Sequence, residues 1–323
     1  MTPALVTGGT GFVGTHLVGA LRARGDDVTC LVRSPERARA LGWEGVRMIP
    51  GDLTTRAALV EGCAGADVVY HVAGRISARN LQEFLTVNRD GTARVLEAAS
   101  TSPPGRFVHV STLAVGGPTL PGRPIDETRA PEPVTDYGRS KLAAETLVRE
   151  SGVPWTIVRP PVVYGERDRE TLRIFRLAQA GWGPVIGDGT QELSVVYAGD
   201  LAGALIAAAT ATGTVGRVYY AAHPDVTTSA ALVGAVGVAV GRRPRMVRLP
   251  GVLARIALWT VGSLASLAGR ATVLSADKAN EFLAPAWTCR SDALTRDSGW
   301  RATMDLTAGL SRTAAWYRAE GWL

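Results

Sequence analysis

Apolar positions in the first half of the chain follow two alternating patterns. Short β-rich runs occur at 4–8 (ALVTG), 27–33 (DVTCLVR), 46–52 (VRMIPGD), 67–73 (DVVYHVA), 106–112 (RFVHVST) and 155–160 (WTIVRP). Between them lie helical stretches: THLVGALRARG, RAALVEGCAG, DGTARVLEAAS and KLAAETLVRES. Strand and helix at this rhythm predict a parallel sheet covered on both faces, with right-handed crossovers. Beyond Pro160 the rhythm loosens. Helices are expected at 170–181, 196–211, 229–241 and 252–268, a strand at 216–222, and an amphipathic tail at 305–323.

No internal repeat or low-complexity linker interrupts the chain. The pattern therefore predicts an α/β fold, a doubly wound parallel sheet with a smaller, mostly helical C-terminal cap. Residues 1–165 plus about 190–222 would form the dinucleotide-binding domain, and about 166–189 and 223–323 the cap.

Composition narrows this only modestly. The chain has 323 residues, 46% hydrophobic and 20% charged, as an ordinary globular protein has. Its net charge is +6. The arginines are scattered, with Arg242–Arg243 a local pair, and no basic helix carries interleaved aromatics, so nucleic-acid binding is not expected. An anionic cofactor or membrane lipid would explain the charge equally well. Cys30, Cys63 and Cys289 lack metal-ligand spacing, so no metal is expected and the thiols read as reduced, in the cytoplasm. The first residues lack the basic region and long apolar stretch of a secretory leader. Ile256 to Gly269, flanked by Arg255 and Arg270, is too short to span a bilayer. It reads either as a buried helix or as part of a segment, about 252–274, that caps an apolar pocket or touches a membrane surface.

TGGTGFVG (7–14) follows the first strand and opens the first helix. Gly8, Gly11 and Gly14 allow a tight turn and bring backbone N–H groups, with those of Phe12 and Val13, to a pyrophosphate at the helix start. The strand–turn–helix context is the one this motif requires. At the end of the second strand stands Arg33, followed by Ser34, Arg37 and Arg39, with no acidic residue at the tip. An Arg suits the 2′-phosphate of NADP(H), where an acid would suit NAD(H); NADP(H) is favoured and NAD(H) stays open. Asp52 of GDL (51–53) is placed to bond an adenine amino group, with Leu53 beside it. Val72, Ala73 and Gly74 end the fourth strand with small residues that would let a cofactor lie close, whereas His71, within an apolar strand, reads as scaffold. Ser111 and Thr112 end the fifth strand, where hydroxyls can point into the ligand cleft. Tyr137 and Lys141 of YGRSK stand four residues apart and share a helix face. An ammonium beside a phenol favours the phenolate, which would make Tyr137 a usable acid/base.

These pieces, in this order, resemble the extended short-chain dehydrogenases/reductases: TGGTGFVG, GDL, HVAG, VNRDGT, VSTLAV, YGRSK and RPPVVYG, together with the tail from Gly299. That group includes nucleotide-sugar epimerases, dihydroflavonol reductases and 3β-hydroxysteroid dehydrogenases. The resemblance implies a Rossmann domain and hydride chemistry. Tyr137 would be the general acid/base, and Lys141 would bond the nicotinamide ribose and lower the Tyr137 pKa. Thr112 would hold the substrate oxygen, with Ser111 as its fallback, and Asn88 would support the lysine or a water chain. Pro160 lies in the matching RPPVVYG segment, where the backbone near Val162 and Val163 would meet the carboxamide. Nucleotide-sugar members often carry an Arg near Leu193 and a Tyr at Gly116; both departures resemble the steroid and lipid ketone reductase branch. The expected activity is NADP(H)-dependent reduction of a ketone, or oxidation of a secondary alcohol, on a small apolar substrate. A nucleotide-sugar epimerase or dehydratase with tightly held NAD is the alternative, and a non-catalytic dinucleotide sensor the alternative of another class. The helices flanking strands four and five resemble the family's dimer surface, where a homodimer could pair, and oligomeric state stays open.

Overall fold

The computed structural model describes residues 1–267, 271–272 and 277–323, with side chains left aside at 266 and 267. The first part runs β1 (Pro3–Thr7), α1 (Phe12–Ala23), β2 (Asp27–Val32), α2 (Pro35–Arg39), β3 (Arg47–Pro50), α3 (Arg56–Cys63), β4 (Val68–His71), α4 (Leu81–Thr101), β5 (Arg106–Val110), α5 (Asp136–Glu150), β6 (Trp155–Arg159) and β7 (Val162–Tyr164). It continues with α6 (Leu172–Gln179), β8 (Trp182–Ile186), β9 (Glu192–Tyr197), α7 (Ala198–Thr210), β10 (Arg217–Tyr220), β11 (Val226–Thr228), α8 (Ser229–Ala239) and β12 (Arg245–Leu249). Last come α9 (Gly251–Leu267), α10 (Ala279–Phe282), β13 (Ala286–Trp287), α11 (Asp292–Ser298) and α12 (Leu306–Ala319).

Seven parallel strands form the central sheet in the order β10-β6-β5-β4-β1-β2-β3. The order reverses at β1, whose neighbours are β2 on one side and β4 on the other, and the crevice at that switch point is where such sheets hold ligands. One face is covered by α1 and α7 through Leu17, Val18, Leu21, Leu201 and Leu205. The other is covered by α3, α4 and α5 through Leu59, Val95, Leu96 and Val148. Because both faces are buried, the strands are nearly uninterrupted apolar runs, and this is why their pattern is readable.

The expected doubly wound sheet with a cap is present. The cap, however, contains more strand than expected. Residues 196–197, expected to begin a helix, end β9, and α7 starts at Ala198. β9 leaves the central sheet and pairs with β7, β11 and β13, while β8 pairs with β12. The segments 162–164 and 192–197, placed in the dinucleotide domain from sequence, thus share a sheet with cap strands. Among the described side chains of α9, Ala254 and Leu258 alone are buried, while Val252, Ile256, Trp259 and Leu264 are exposed, so residues 252–265 are not a buried helix. The rest of that expectation, 268–270 and 273–274, lies outside the described residues. No helix among the described residues is long and apolar enough to cross a membrane.

Candidate active site

The glycine loop between β1 and α1 is held by contacts that forbid side chains. Gly8 has φ +74°, and a Cβ there would stand 2.6 Å from the Ala73 nitrogen. A Cβ on Gly14 would stand 2.1 Å from the Gly8 carbonyl oxygen. The loop, the first turn of α1 and the Val72–Gly74 segment can close on one another only without those atoms. No side chain caps α1 and no acidic residue stands in its first turn. The helix start, with the backbone of Phe12, Val13 and Gly14, is therefore open to an anion, as a dinucleotide pyrophosphate requires.

Arg33 stands exposed just past β2, and Ser34 caps α2 by accepting from the Arg37 N–H at 3.4 Å. Asp52 sits past β3, and its Oδ1 accepts from the Thr54 hydroxyl at 2.6 Å and the Thr54 N–H at 2.8 Å. These bonds hold its carboxyl below the usual range, and that oxygen serves the loop. Leu53 packs over Gly91 of α4, where a Cβ would come within 2.7 Å of its Cδ1. Leu53 therefore fixes the loop to α4. Pro160 is buried, and its carbonyl accepts from the Leu113 N–H at 2.8 Å. Val162 is exposed, and Val163 is partly buried against the core.

The chemistry-bearing residues converge where β4 and β5 meet the start of α5. Thr135 caps α5 by accepting from the Gly138 N–H. Tyr137 follows in the first turn and Lys141 one turn later. Thr112 is near enough to the Tyr137 hydroxyl to favour its ionised form, and it caps the short turn Leu113–Val115. Phe84 packs its ring 5.9 Å from that of Tyr137. Lys141 is buried, and its Nζ lies 3.8 Å from where a Gly74 Cβ would stand. Asn88 is buried too; its Nδ2 donates to the Arg75 carbonyl at 3.0 Å and to the Ser140 hydroxyl at 2.9 Å, and its Oδ1 accepts from the Arg75 N–H at 2.7 Å. It therefore braces both the turn after Gly74 and the residue before Lys141. Gly74, Asn88, Thr112, Tyr137 and Lys141 are brought together.

Burial pushes the Tyr137 phenol up, the Glu281 carboxylate adds to this, and Thr112 acts the other way. Lys141 Nζ lies toward Gly74 and Asn88. Ser111 is placed differently from the expectation. Its hydroxyl donates to Glu145 Oε1 at 2.6 Å inside the protein, because alternation along the strand turns it away from Thr112.

Sequence reasoning missed the groups behind Lys141. Glu145, one turn further along α5, accepts from Arg159 Nε at 2.8 Å and Nη2 at 2.6 Å, and Arg159 Nη1 reaches the Tyr220 hydroxyl at 3.2 Å. An acid four residues after Lys141 on a buried helix face was the available signal. Burial lowers the Lys141 ammonium to about 8, with Glu145 acting against that fall. The charged form prevails below that value and is lost above it. Cofactor-dependent kcat/KM is expected to decline as pH rises through about 8. A flat profile between pH 7 and 9 would show that the ammonium charge is not used.

Also missed were Lys278 and Glu281, contributed by the segment around α10. Lys278 Nζ sits 5.4 Å from the Tyr137 ring centroid and forms an ion pair with Glu281, which accepts from the Thr135 hydroxyl at 2.7 Å. The chain contains two lysines, Lys141 and Lys278, and both lie at this site. His71 is scaffold, as expected: buried between Thr7 at 2.7 Å and Thr92 at 2.9 Å, it is lowered to about 3 by burial and by Lys141.

Leu113, which follows Thr112 in the chain, belongs to a buried apolar cluster with Ile125, Tyr220, Ala222, Trp287 and Cys289, and Leu193 packs against that cluster. A Cβ on Gly116 would meet the Tyr220 hydroxyl at 2.5 Å and Ile125 Cδ1 at 2.6 Å, so no side chain fits there.

A doubly wound sheet with an open glycine-loop helix start and a Thr–Tyr–Lys set at its crevice defines an NAD(P)-dependent enzyme of the extended short-chain dehydrogenase/reductase type. Residues 4–222 match the NAD dependent epimerase/dehydratase family, and the chain belongs to it. It is 35% identical over 322 residues to a ceramide reductase of Caulobacter vibrioides, covering 98% of this chain and 95% of that protein. Over 173 residues it is 40% identical to a 4-hydroxy-2-methyl-3-oxo-4-farnesyl-3,4-dihydroquinoline-1-oxide ketoreductase of Stigmatella aurantiaca, about half of each chain (52% and 52%). The solved structure of MoeE5 with UDP-glucose and NAD matches at TM-score 0.79 and 26% identity, covering 98% of this chain and 99% of that one. The cofactor of this family is a nicotinamide dinucleotide, and the glycine loop, Gly74 and Lys141 fit one.

Proposed function

We propose that the protein reduces a ketone on a lipid-like substrate, drawing on NADPH. The observation that carries this reading is the apolar surrounding of Leu193. Where a diphosphate would need a cationic, bidentate partner, Leu193 packs into an apolar cluster with Trp287 and Tyr220. The names of two relatives agree in kind, one a ceramide reductase and the other a ketoreductase acting on a farnesyl compound. The bound nicotinamide supplies the hydride. Tyr137, held neutral by burial, donates its proton to the carbonyl oxygen, and Thr112 donates a hydrogen bond to the same oxygen as negative charge develops there. Asn88 holds Ser140 and, through it, the turn that carries Lys141. Arg33, exposed and without an acid at the strand end, supports NADPH over NADH.

The alternative of a nucleotide-sugar epimerase lacks a matching feature at Leu193 and Gly116. A non-catalytic sensor would have no use for an intact Thr112, Tyr137 and Lys141. The test is cofactor absorbance with purified protein against steroid ketones, long-chain β-keto compounds and nucleotide sugars, with product analysis throughout. NADPH is expected to be consumed with an apolar ketone, faster than NADH. A converted nucleotide sugar without net cofactor consumption would overturn the reading.

A further inference from the structure

Between Val226 and Ala276 the chain has no Asp or Glu, yet it carries Arg242, Arg243, Arg245, Arg248, Arg255 and Arg270. The described part of this stretch forms a surface of unusual chemistry. β12 is exposed along nearly its whole length and runs through Pro250 into α9. On α9, Val252, Leu253, Ile256, Trp259 and Leu264 are exposed by 55% or more. At 100° per residue these positions, with Thr260, fall on one continuous arc that contains no charge. The Thr260 hydroxyl donates to the Ile256 carbonyl at 2.9 Å, so its one polar group is satisfied by the helix itself. Ala254 and Leu258 face the protein, and Arg255 stands at the arc's edge. Trp182 of β8, half exposed, pairs in register with Arg245 of β12, and Met246 and Leu249 add apolar area. Asp188 is the carboxylate that feels Arg248.

We infer that α9 and β12 form a docking face for an anionic phospholipid bilayer. An apolar helix arc inserts at the headgroup boundary, Trp anchors at that level, and arginines beside it gain energy from anionic lipid. The helix is too short to cross. A second copy placed symmetrically on this face would set arginine against arginine, so charge favours the bilayer over self-association.

The face lies next to the chemistry. Gly251 packs on Leu283, immediately after α10, and the segment around α10 carries Lys278 and Glu281 to Tyr137 and Thr135. An open depression lined by Glu132, Pro133, Val134, Arg139, Arg255, Asn280, Leu283 and Ala284 lies between α9 and the start of α5. A lipid taken from the bilayer would thus enter beside the catalytic helix. That delivery role rests on the lipid-substrate reading; the docking itself does not.

The test is co-sedimentation of the full chain with phosphatidylcholine vesicles, alone or mixed with phosphatidylglycerol, at low and high salt. Binding is expected with the anionic vesicles and is expected to weaken with salt. The double variant Trp259→Ala with Leu264→Ser, and separately the quadruple variant Arg242→Gln, Arg243→Gln, Arg245→Gln and Arg248→Gln, should each lower partitioning roughly tenfold or more, with unchanged circular dichroism and melting. Sedimentation is read without turnover, so its outcome is separate from that of the ketone assay. No binding to anionic vesicles, or variants that bind as the parent does, would overturn the inference. So would a dimer in solution that the Trp259→Ala, Leu264→Ser chain cannot form, which would assign the face to a second copy.

Discussion

Replacing Tyr137 with Phe will cut ketone reduction by about 10²–10⁴-fold while NADPH binds nearly as before. On the proposed mechanism the phenol donates the proton to the carbonyl oxygen, so its loss weighs on the chemical step. The effect is clean because little else depends on the hydroxyl. Thr112 keeps its bond from the Ala114 N–H at 3.2 Å, and the ring keeps its contacts with Phe84 and Lys278. The loss should therefore appear in kcat, with the dissociation constant for NADPH and the melting temperature hardly changed. Residual activity near the parent level would remove Tyr137 from the mechanism, and lost NADPH binding would assign it to cofactor retention instead.

The second large effect is on stability. Glu145→Ala leaves the Arg159 guanidinium, itself 2% exposed, with the Tyr220 hydroxyl as its remaining side-chain partner. An unpaired buried charge of this kind costs about 3–5 kcal/mol. A fall in melting temperature on the order of 10 °C is expected, readable by thermal denaturation. The double variant Glu145→Leu with Arg159→Met removes both charges and should be clearly more stable than the single one, since burying a pair of ions is itself expensive. An equal loss in the two variants would mean that packing around α5, not the charge, is what the site requires. Activity adds a second readout. Glu145 opposes the fall that burial imposes on Lys141, so its removal moves the alkaline decline in kcat/KM to lower pH.

How far the sequence could be read follows from how local each feature is. The strands of the central sheet stand out because burial on both faces makes them apolar throughout, as in β1, β4 and β6. β12 is not legible: its residues are RMVRL, nearly all exposed, and only pairing with β8 more than fifty residues earlier makes it a strand. β9 was hidden differently, since its last residues run without a break into the alanine-rich α7. At the site, Gly8, Gly14, Asn88, Thr112, Tyr137 and Lys141 could be named from spacing and family resemblance, and the fold places Asn88 and Lys141 around Gly74. Ser111 was misplaced because composition does not tell which of two adjacent hydroxyls faces the cleft, whereas strand alternation does. Lys278 and Glu281 were illegible because more than 140 residues separate them from Tyr137, and only tertiary folding joins them.

The placement of both lysines has a consequence for handling the protein. Surface cations elsewhere are arginines, which do not acylate under the conditions that modify amines. Both lysine amines therefore lie at the candidate site, Lys141 buried near Gly74 and Asn88 and Lys278 over the Tyr137 ring. In most proteins a coating of lysines intercepts amine-directed labels, cross-linkers and immobilisation resins before they reach anything important. Here there is no such coating, and side-chain amine chemistry on this chain is active-site chemistry.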